Sequence, residues 1–326
     1  MDIFDAIRAN LLSPAVLFFA LGLVAALTKS DLKFPEPLYV ALTIYLLVAI
    51  GFKGGVALSE AGLGKVWLPT LAAMALGALI PLWTYPLLRY GGKFPGVDAA
   101  AIAAHYGSVS AVTFIAATNY LKAVNQPYEN YATAFLAVME SPAILVGVVL
   151  GKLSTLRSGG AYLTSLKSAA HEALFGRSIF LLVGALIVGA LCGQPGMEKV
   201  GPFFVGPFQG VLALFLLEMG MVAGRRLEDL KKVGPFLLGF GIVMPLLHGC
   251  IGVALGKWAG LEMGGATLFG VLAASASYIA APAAIRMSLP DANPTYYLTA
   301  SLAITFPFNI ALGIPIYFEV ARRLYA

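Results

Sequence analysis

Residues 273–284 read A-A-S-A-S-Y-I-A-A-P-A-A, in the middle of an apolar segment long enough to cross a bilayer. A helix that faced lipid would carry large aliphatic side chains here, but this stretch has two serines, a proline and mostly small residues. Pro282 has no backbone N–H, so the sequence predicts that the helix breaks or kinks there. Freed backbone groups are tolerated in a membrane where they face protein or water. The stretch therefore predicts a polar site inside the membrane.

A related stretch, A-H-Y-G-S-V-S-A-V-T-F-I-A-A, occupies residues 104–117. Its two serines precede those of the first stretch by 167 residues. Three further pairs recur at nearly the same offset and in the same order: residues 131–138 (Y-A-T-A-F-L-A-V) with 297–304 (Y-L-T-A-S-L-A-I), Pro127 with Pro294, and Gly51 and Gly55 with Gly220 and Gly224. These landmarks indicate that the two halves of the chain are repeats.

The composition is typical of an integral membrane protein. The chain has 326 residues, of which 60% are hydrophobic and 11% charged, and its mean hydropathy is +0.87; soluble domains carry roughly 25% charged residues. The net charge of +5 is attributed to cytoplasmic loops and not to a nucleic-acid partner. Cys192 and Cys250 are predicted to be buried small hydrophobic residues. No catalytic triad spacing, paired catalytic carboxylates, phosphate-binding loop or zinc motif is present, so no enzyme is predicted.

The hydropathy pattern predicts an all-α protein with about ten transmembrane helices, at roughly residues 11–28, 38–58, 66–87, 99–118, 131–151, 178–194, 207–224, 233–257, 266–286 and 296–320. Residues 1–152 form the first five-helix repeat, residues 153–177 a linker, and residues 178–326 the second five-helix repeat. The linker is either an extended connection or a short amphipathic helix on the membrane. The fourth and ninth helices, which carry the two serine stretches, are predicted to be discontinuous.

The orientation follows from helix number and loop charge. Each half has an odd number of spans, so the two halves must lie in the membrane with opposite topology, as the inverted repeats of many secondary transporters do. Lys and Arg are more numerous in the loops that follow odd-numbered spans. Because cytoplasmic loops carry an excess of these residues, both termini are predicted outside and the linker inside.

The two serine stretches predict an anion site. The N-termini of half-helices that face each other offer N–H groups and partial positive charge to an anion. Serine hydroxyls add ligands without a full buried charge, which suits a small oxyanion held reversibly. Close packing of small residues is the alternative interpretation of either stretch alone. The candidate hydroxyls belong to Ser108, Ser110, Ser275 and Ser277.

A cation site is predicted beside them. Glu140, in M-E-S-P-A-I-L, lies inside the fifth span, where a charge costs roughly 2.5 kcal/mol or more. Binding of Na⁺ or H⁺ is the functional interpretation, and a hydrogen bond to a neighbouring helix is the structural one. Thr305, Pro307 and Asn309 offer hydroxyl, amide and freed carbonyl oxygens that suit a hard cation. Other polar residues in the spans receive structural interpretations: Lys53 and Glu218 snorkel to a membrane boundary, and His105 and His248 pack or form hydrogen bonds.

Residues 274–318, from A-S-A-S-Y-I-A-A-P-A-A-I-R-M-S-L-P to S-L-A-I-T-F-P-F-N-I-A-L-G-I-P-I-Y-F, closely resemble the sodium-dependent bicarbonate permease family known from cyanobacteria. Residues 50–57, 106–113 and 139–145 resemble its other signatures, so the resemblance covers essentially the whole chain. It implies an elevator-type transporter with core and gate domains that forms a homotrimer in the bacterial plasma membrane. It also implies import of bicarbonate coupled to Na⁺ and, for some members, a PII-like regulatory protein on the cytoplasmic face.

The resemblance places the anion where the two broken helices cross, at Gly107, Ser108, Val109, Ser110, Ala274, Ser275, Ala276 and Ser277. The predicted cation-binding residues are Ser110, Thr113, Glu140, Ser277, Thr305 and Asn309, with Na⁺ as the coupling ion and no other cofactor. Two departures affect Na⁺ stoichiometry and anion choice. In the cyanobacterial family that this chain resembles, Asp stands in place of Glu140. Small hydroxyl-rich residues stand there in place of Ala111 and Val112. Two alternatives stay open: the same fold moving another small anion, such as a short carboxylate, with Na⁺ or protons, and an anion sensor that does not transport.

Overall fold

The structure is a computed structural model that describes residues 8, 11–154, 171 and 175–326. The described ranges are helical and contain no strand. Seven helices in these ranges are long and apolar enough to cross a membrane, some of them joined end to end. The predicted linker, residues 153–177, lies mostly outside the described residues.

The helices follow the predicted spans in order. They are α1 (Pro14–Leu27), α2 (Glu36–Ala61), α3 (Leu63–Pro86, continued by a π-helical turn, Leu87–Gly91), α4 (Gly96–Gly107), α5 (Ala111–Ala123), α6 (Thr133–Ser154), α7 (Arg177–Phe204), α8 (Phe208–Arg226), α9 (Leu230–Trp258), α10 (Met263–Ala274), α11 (Ala280–Ser288) and α12 (Pro294–Tyr325). Within α12, π-helical segments Thr299–Thr305 and Asn309–Gly313 flank Pro307. Inside α7, Gly193 has a φ of 57° and kinks the helix where the predicted sixth span ends.

The fourth and ninth spans are broken, each after a half-helix of the same length. Both α4 and α10 have 12 residues, and each passes into an extended serine: Ser108 has φ −81° and ψ 167°, and Ser275 has φ −82° and ψ 164°. The first residues of the two half-helices are 167 positions apart, and so are their last residues. The backbone geometry at their ends is also nearly the same.

The prediction that the ninth span breaks at Pro282 is wrong in position. The break covers residues 275–279, and Pro282 lies in the first turn of α11. A proline is accommodated in a first turn because N–H groups there have no partner within the helix. Its ring would clash with the carbonyl oxygen four residues earlier in a continuous helix. Pro282 therefore stops α11 from extending back through Tyr278, and the break lies before the proline.

Glycines at repeated positions bring two pairs of helices into close contact. A Cβ atom on Gly55 of α2 would lie 1.9 Å from the Leu186 carbonyl oxygen of α7. A Cβ on Gly220 of α8 would lie 2.0 Å from the Phe19 carbonyl oxygen of α1. Small residues allow membrane helices to approach in this way. The glycine pairs found in the sequence thus serve the same purpose in α2–α7 and α8–α1 packing.

The broken helices lie in the centre and α7 lies at the periphery. In the most apolar window of α4 and α5, 94% of residues are buried, against 17% in the window of α7. Cys192 and Cys250 are exposed free cysteines, so their predicted burial is wrong. The physical reason is that an apolar side chain in a membrane protein can face lipid as readily as protein.

Candidate functional site

Two hydrogen bonds with backbone N–H donors join the two breaks and the end of α4. The backbone N–H of Ser110 donates to the Ser275 hydroxyl at 2.9 Å, and the backbone N–H of Ser277 donates to the His105 carbonyl oxygen, in the last turn of α4, at 2.8 Å. Each bond gives a freed backbone N–H of one break a partner from the other half of the chain. The groups that would be costly in hydrocarbon therefore find partners at the crossing.

Serines at equivalent positions accept hydrogen bonds from the first turns of the two half-helices that follow the breaks. The Ser110 hydroxyl accepts from the Thr113 N–H at 3.2 Å at the start of α5, and the Ser277 hydroxyl accepts from the Ala281 N–H at 3.2 Å at the start of α11. A serine in this position satisfies one free N–H of a helix start, and its oxygen has a second lone pair. Both serines can thus offer an oxygen lone pair to a ligand.

The other pair of serines is not equivalent in its contacts. The Ser275 hydroxyl accepts from Ser110 and donates to the Leu272 carbonyl oxygen at 2.8 Å. The hydroxyl of Ser108 is fully buried and has no hydrogen-bond partner within the part of the chain that the structure describes. A buried hydroxyl without a partner is costly. Ser108 is therefore a free polar group beside the crossing, whereas Ser275 is a structural link.

A small cavity lies at the crossing, beside Glu140. The residues that line it come from α2, α6, the start of α5 and both breaks: Leu47, Val109, Ser110, Ala111, Leu136, Glu140, Ser277, Tyr278 and Ile279. Glu140 is 5% exposed, and its carboxyl interacts with the Ser277 hydroxyl. The cavity volume is about 10 Å³, close to the minimum that holds one water molecule. This space fits a bare cation and is too small for an oxyanion with three oxygens.

Thr305 and Asn309 lie in α12 and do not line this cavity. The Thr305 hydroxyl donates to the Gly241 carbonyl oxygen at 2.7 Å and contacts the Tyr106 hydroxyl at 2.6 Å. The Asn309 amide donates to the Ala274 carbonyl oxygen at 2.8 Å and accepts from the Tyr317 hydroxyl at 2.9 Å. Asn309 thereby satisfies the last carbonyl of α10. The structure gives these side chains bonds that fix the broken helices, and their role as cation ligands stays a prediction.

Two larger cavities lie on either side of the crossing, along one face of α2. The first, of about 480 Å³, is lined by Glu36, Tyr39, Arg286 and other residues and shares Tyr278 and Ile279 with the small cavity; we call it the Arg286 vestibule. The second, of about 370 Å³, is lined by Lys53, Lys122, Phe114 and other residues; we call it the Lys53 vestibule. No lining residue is shared between the Lys53 vestibule and the small cavity.

Several residues at the site were not predicted. Leu47 and Leu136 line the cavity from unbroken helices, and Tyr278 brings a buried hydroxyl that interacts with the Ser110 hydroxyl. Tyr278 lies inside the quoted serine stretch, and its polar group among small residues was the signal available. Nothing in the local pattern distinguishes the two leucines from other apolar residues of their helices.

Other polar residues of the spans are placed as follows. His105 is fully buried and stacks on Tyr297 at 4.4 Å, and His248 accepts a hydrogen bond from the Trp83 indole at 2.9 Å, so both pack and bond as predicted. Glu218 is 7% exposed in α8, so the prediction that it snorkels to a boundary is wrong. The reason is that the Glu218 side chain lies on a side of α8 that packs against neighbouring helices, and this packing buries it. Lys53 is half-buried and faces the vestibule named after it.

A family comparison decides what kind of protein carries this site. The family model for the Na⁺-dependent bicarbonate transporter superfamily matches residues 14–322, nearly the whole chain. The chain belongs to the Na⁺-dependent bicarbonate transporter superfamily. The resemblance inferred from the sequence is therefore confirmed. A search of curated protein sequences gives no match.

Membership in this superfamily has direct consequences. The family and the apolar helices fit a multi-pass membrane protein, and the family is one of transporters. The family name also supports Na⁺ as the coupling ion. Within the described residues, no group of three or more His, Cys, Asp or Glu side chains is placed to hold a metal ion.

Proposed function

We propose that this protein imports bicarbonate in symport with Na⁺. The observation that carries the proposal is the crossing of the two broken helices beside a buried glutamate, in a chain that belongs to a Na⁺-dependent bicarbonate transporter superfamily. Polar groups are concentrated there at a depth where they are expensive unless they serve a ligand.

The cation is proposed to bind in the small cavity, to Glu140, Ser110 and Ser277. A bare cation matches the volume, and a carboxylate with two hydroxyl oxygens supplies the ligands that hard cations prefer. Thr113, Thr305 and Asn309 remain predicted ligands, and the side chains of Thr305 and Asn309 would have to exchange or share their present hydrogen bonds. A bound Na⁺ would also neutralise Glu140, which otherwise repels an anion.

The anion is proposed to bind beside the cation, between residues 107–110 and 274–277. The helix N-termini of α5 and α11 offer partial positive charge, and the Ser108 hydroxyl, which has no hydrogen-bond partner among the described residues, is free to donate. The present cavity is too small for the anion, so its binding needs the two breaks to separate or the adjoining Arg286 vestibule to contribute space. This requirement couples binding to movement.

The movement is proposed to be of the elevator type, within ten helices arranged as two inverted repeats. The matching half-helices α4 and α10 and the matching glycine contacts support the repeat. The gate domain would contain α1, α2, α7 and α8, which pack on one another through these glycines, and the remaining helices would form the core that carries the site. With both termini outside, the Arg286 vestibule faces the cytoplasm and the Lys53 vestibule faces outward.

Location and partners follow from the same proposal. The protein would lie in the bacterial inner membrane as a homotrimer, and a PII-like regulator would approach the cytoplasmic side. Any contact with the linker would involve residues outside the described ranges.

The test is uptake of labelled bicarbonate into proteoliposomes, with and without an inward Na⁺ gradient. Uptake that depends on the gradient is expected, with a formate or acetate series as competitors. Equal uptake without Na⁺ would remove the symport proposal. Na⁺-dependent uptake of a short carboxylate in preference to bicarbonate would favour the second candidate function, transport of another small anion by the same fold. The longer side chain of Glu140 and the apolar Val112 are the departures from the family pattern that bear on this candidate. Measurable anion binding without counterflow of labelled substrate would instead indicate a sensor.

A further inference from the structure

The Lys53 vestibule has a charge pattern that the crossing does not need. Lys53 lies inside α2, a membrane helix, and Lys122 lies at the end of α5. Both lysines line this one vestibule. Among the described residues that line the vestibule, Glu60 is the one acidic side chain. The vestibule therefore carries a net positive charge.

Among the described residues, neither lysine forms a salt bridge with a carboxylate. The Lys53 ammonium lies 5.8 Å from the centre of the Phe208 ring, a cation–π contact that stabilises it without cancelling its charge. A lysine held inside a membrane helix without a counter-ion usually faces water and marks an ion pathway.

The walls of the vestibule lead from the lysines toward the crossing. On α5, Lys122, Thr118 and Phe114 line the vestibule at helical spacing, and Ala111 on the same helix lines the small cavity. On α2, Lys53 and Ile50 line the vestibule and Leu47 lines the small cavity. Apolar side chains thus separate the positive vestibule from the site, on both walls.

We propose that the Lys53 vestibule is a second anion site, which binds the transported monovalent oxyanion before it reaches the crossing. This inference rests on the proposed function, because it assumes that a small anion is transported. A volume of about 370 Å³ holds such an anion with its water. The two ammonium groups attract it through water, and Thr118, Thr133 and Asn130 offer additional polar contacts. A cleft with one sign of charge raises the local concentration of the opposite ion.

The site differs from the crossing in one testable respect. Na⁺ is proposed to bind next to Glu140, on the far side of Ile50 and Phe114. The vestibule therefore binds the anion without Na⁺, through charge, and lysine is its essential group. Substitution of Lys53 should raise KM for the anion and leave both the maximal rate and the Na⁺ half-saturation unchanged.

The transport experiment compares initial uptake of labelled bicarbonate in Lys53→Gln, Lys53→Arg and Lys199→Gln. Lys199 is the matched control, since it is exposed on α7 and does not line the vestibule. Lys53→Gln is expected to raise KM about fivefold, the effect of one charge at about 4 Å in water. Lys53→Arg should keep KM within about twofold of the wild-type value, because the charge is kept. An unchanged KM in Lys53→Gln would overturn the proposal.

A second measurement needs neither substitution nor transport. The wild-type protein, without Na⁺, is acylated with acetic anhydride in choline bicarbonate or in choline gluconate at equal ionic strength, and each lysine is followed by peptide mass spectrometry. Bicarbonate is expected to slow acylation of Lys53 and Lys122 relative to Lys199. If bicarbonate changed the acylation rates of all three lysines by the same factor, the proposed site would be overturned. Protection without any uptake of bicarbonate would keep the site and remove the proposed transport function.

Discussion

Neutralising Glu140 is the substitution that bears most directly on the cation site. Glu140 is buried, interacts with the Ser277 hydroxyl and lines a cavity that fits one bare cation. One unit charge at about 4 Å from a cation contributes about 4 kcal/mol at an effective dielectric constant of about 20. The amide oxygen of glutamine still coordinates, so we expect Glu140→Gln to lose about half of this, about 2 kcal/mol. That loss corresponds to a rise of about 30-fold in the Na⁺ concentration for half-maximal uptake.

The assay is the initial rate of bicarbonate uptake into proteoliposomes as a function of Na⁺. KM for bicarbonate at saturating Na⁺ should change much less than the Na⁺ half-saturation. Glu198→Gln is the matched control, because Glu198 is an exposed carboxylate on α7 and should behave as the wild type. Glu140→Asp keeps the charge on a side chain one methylene shorter and should give an intermediate Na⁺ half-saturation.

Folding can be separated from binding in the same variant. A buried neutral amide is less costly than a buried carboxylate, so the Tm of purified Glu140→Gln without Na⁺ should equal or exceed that of the wild type. Added Na⁺ should raise the Tm of the wild type, because a ligand stabilises the state that binds it, and should have little effect on the variant. A normal Tm together with an unaltered Na⁺ response in both assays would refute the placement of Na⁺ beside Glu140.

Two further predictions concern stability and are measured as unfolding free energy or Tm in detergent. Ser275→Ala should cost about 1–3 kcal/mol of stability, because it leaves the N–H of Ser110 unpaired in the interior. Ser108→Ala should leave stability unchanged or raise it, since its hydroxyl has no hydrogen-bond partner among the described residues. Similar losses of stability in both variants would contradict this difference between the two serines. Gly55→Ala should cost about 1–3 kcal/mol because the new Cβ would lie 1.9 Å from a carbonyl oxygen of α7. Gly64→Ala, with no atom within 4 Å, should gain about 0.4–1 kcal/mol, and equal behaviour of the two glycines would argue against the α2–α7 contact.

The sequence already contains the chemistry of the candidate site and its place in the chain. Serines at two positions 167 residues apart, a glutamate inside an apolar span and paired glycines can be found without coordinates, because membrane spans tolerate few polar residues and each one stands out. The helix order could be predicted for the same reason, since long apolar segments of a membrane chain have to be helical. The family resemblance added the expected anion.

The tertiary structure decided which of these residues meet. The Ser110 N–H reaches Ser275, and the Asn309 amide reaches Ala274, through contacts between distant parts of the chain that no local pattern encodes. The tertiary structure also shows that the break of the ninth span lies before Pro282 and not at it, because the proline ring excludes a continuous helix on its N-terminal side. Likewise, Lys53 came to face a vestibule shared with Lys122, because helix packing and not composition determines whether a charge inside a span meets lipid, protein or water.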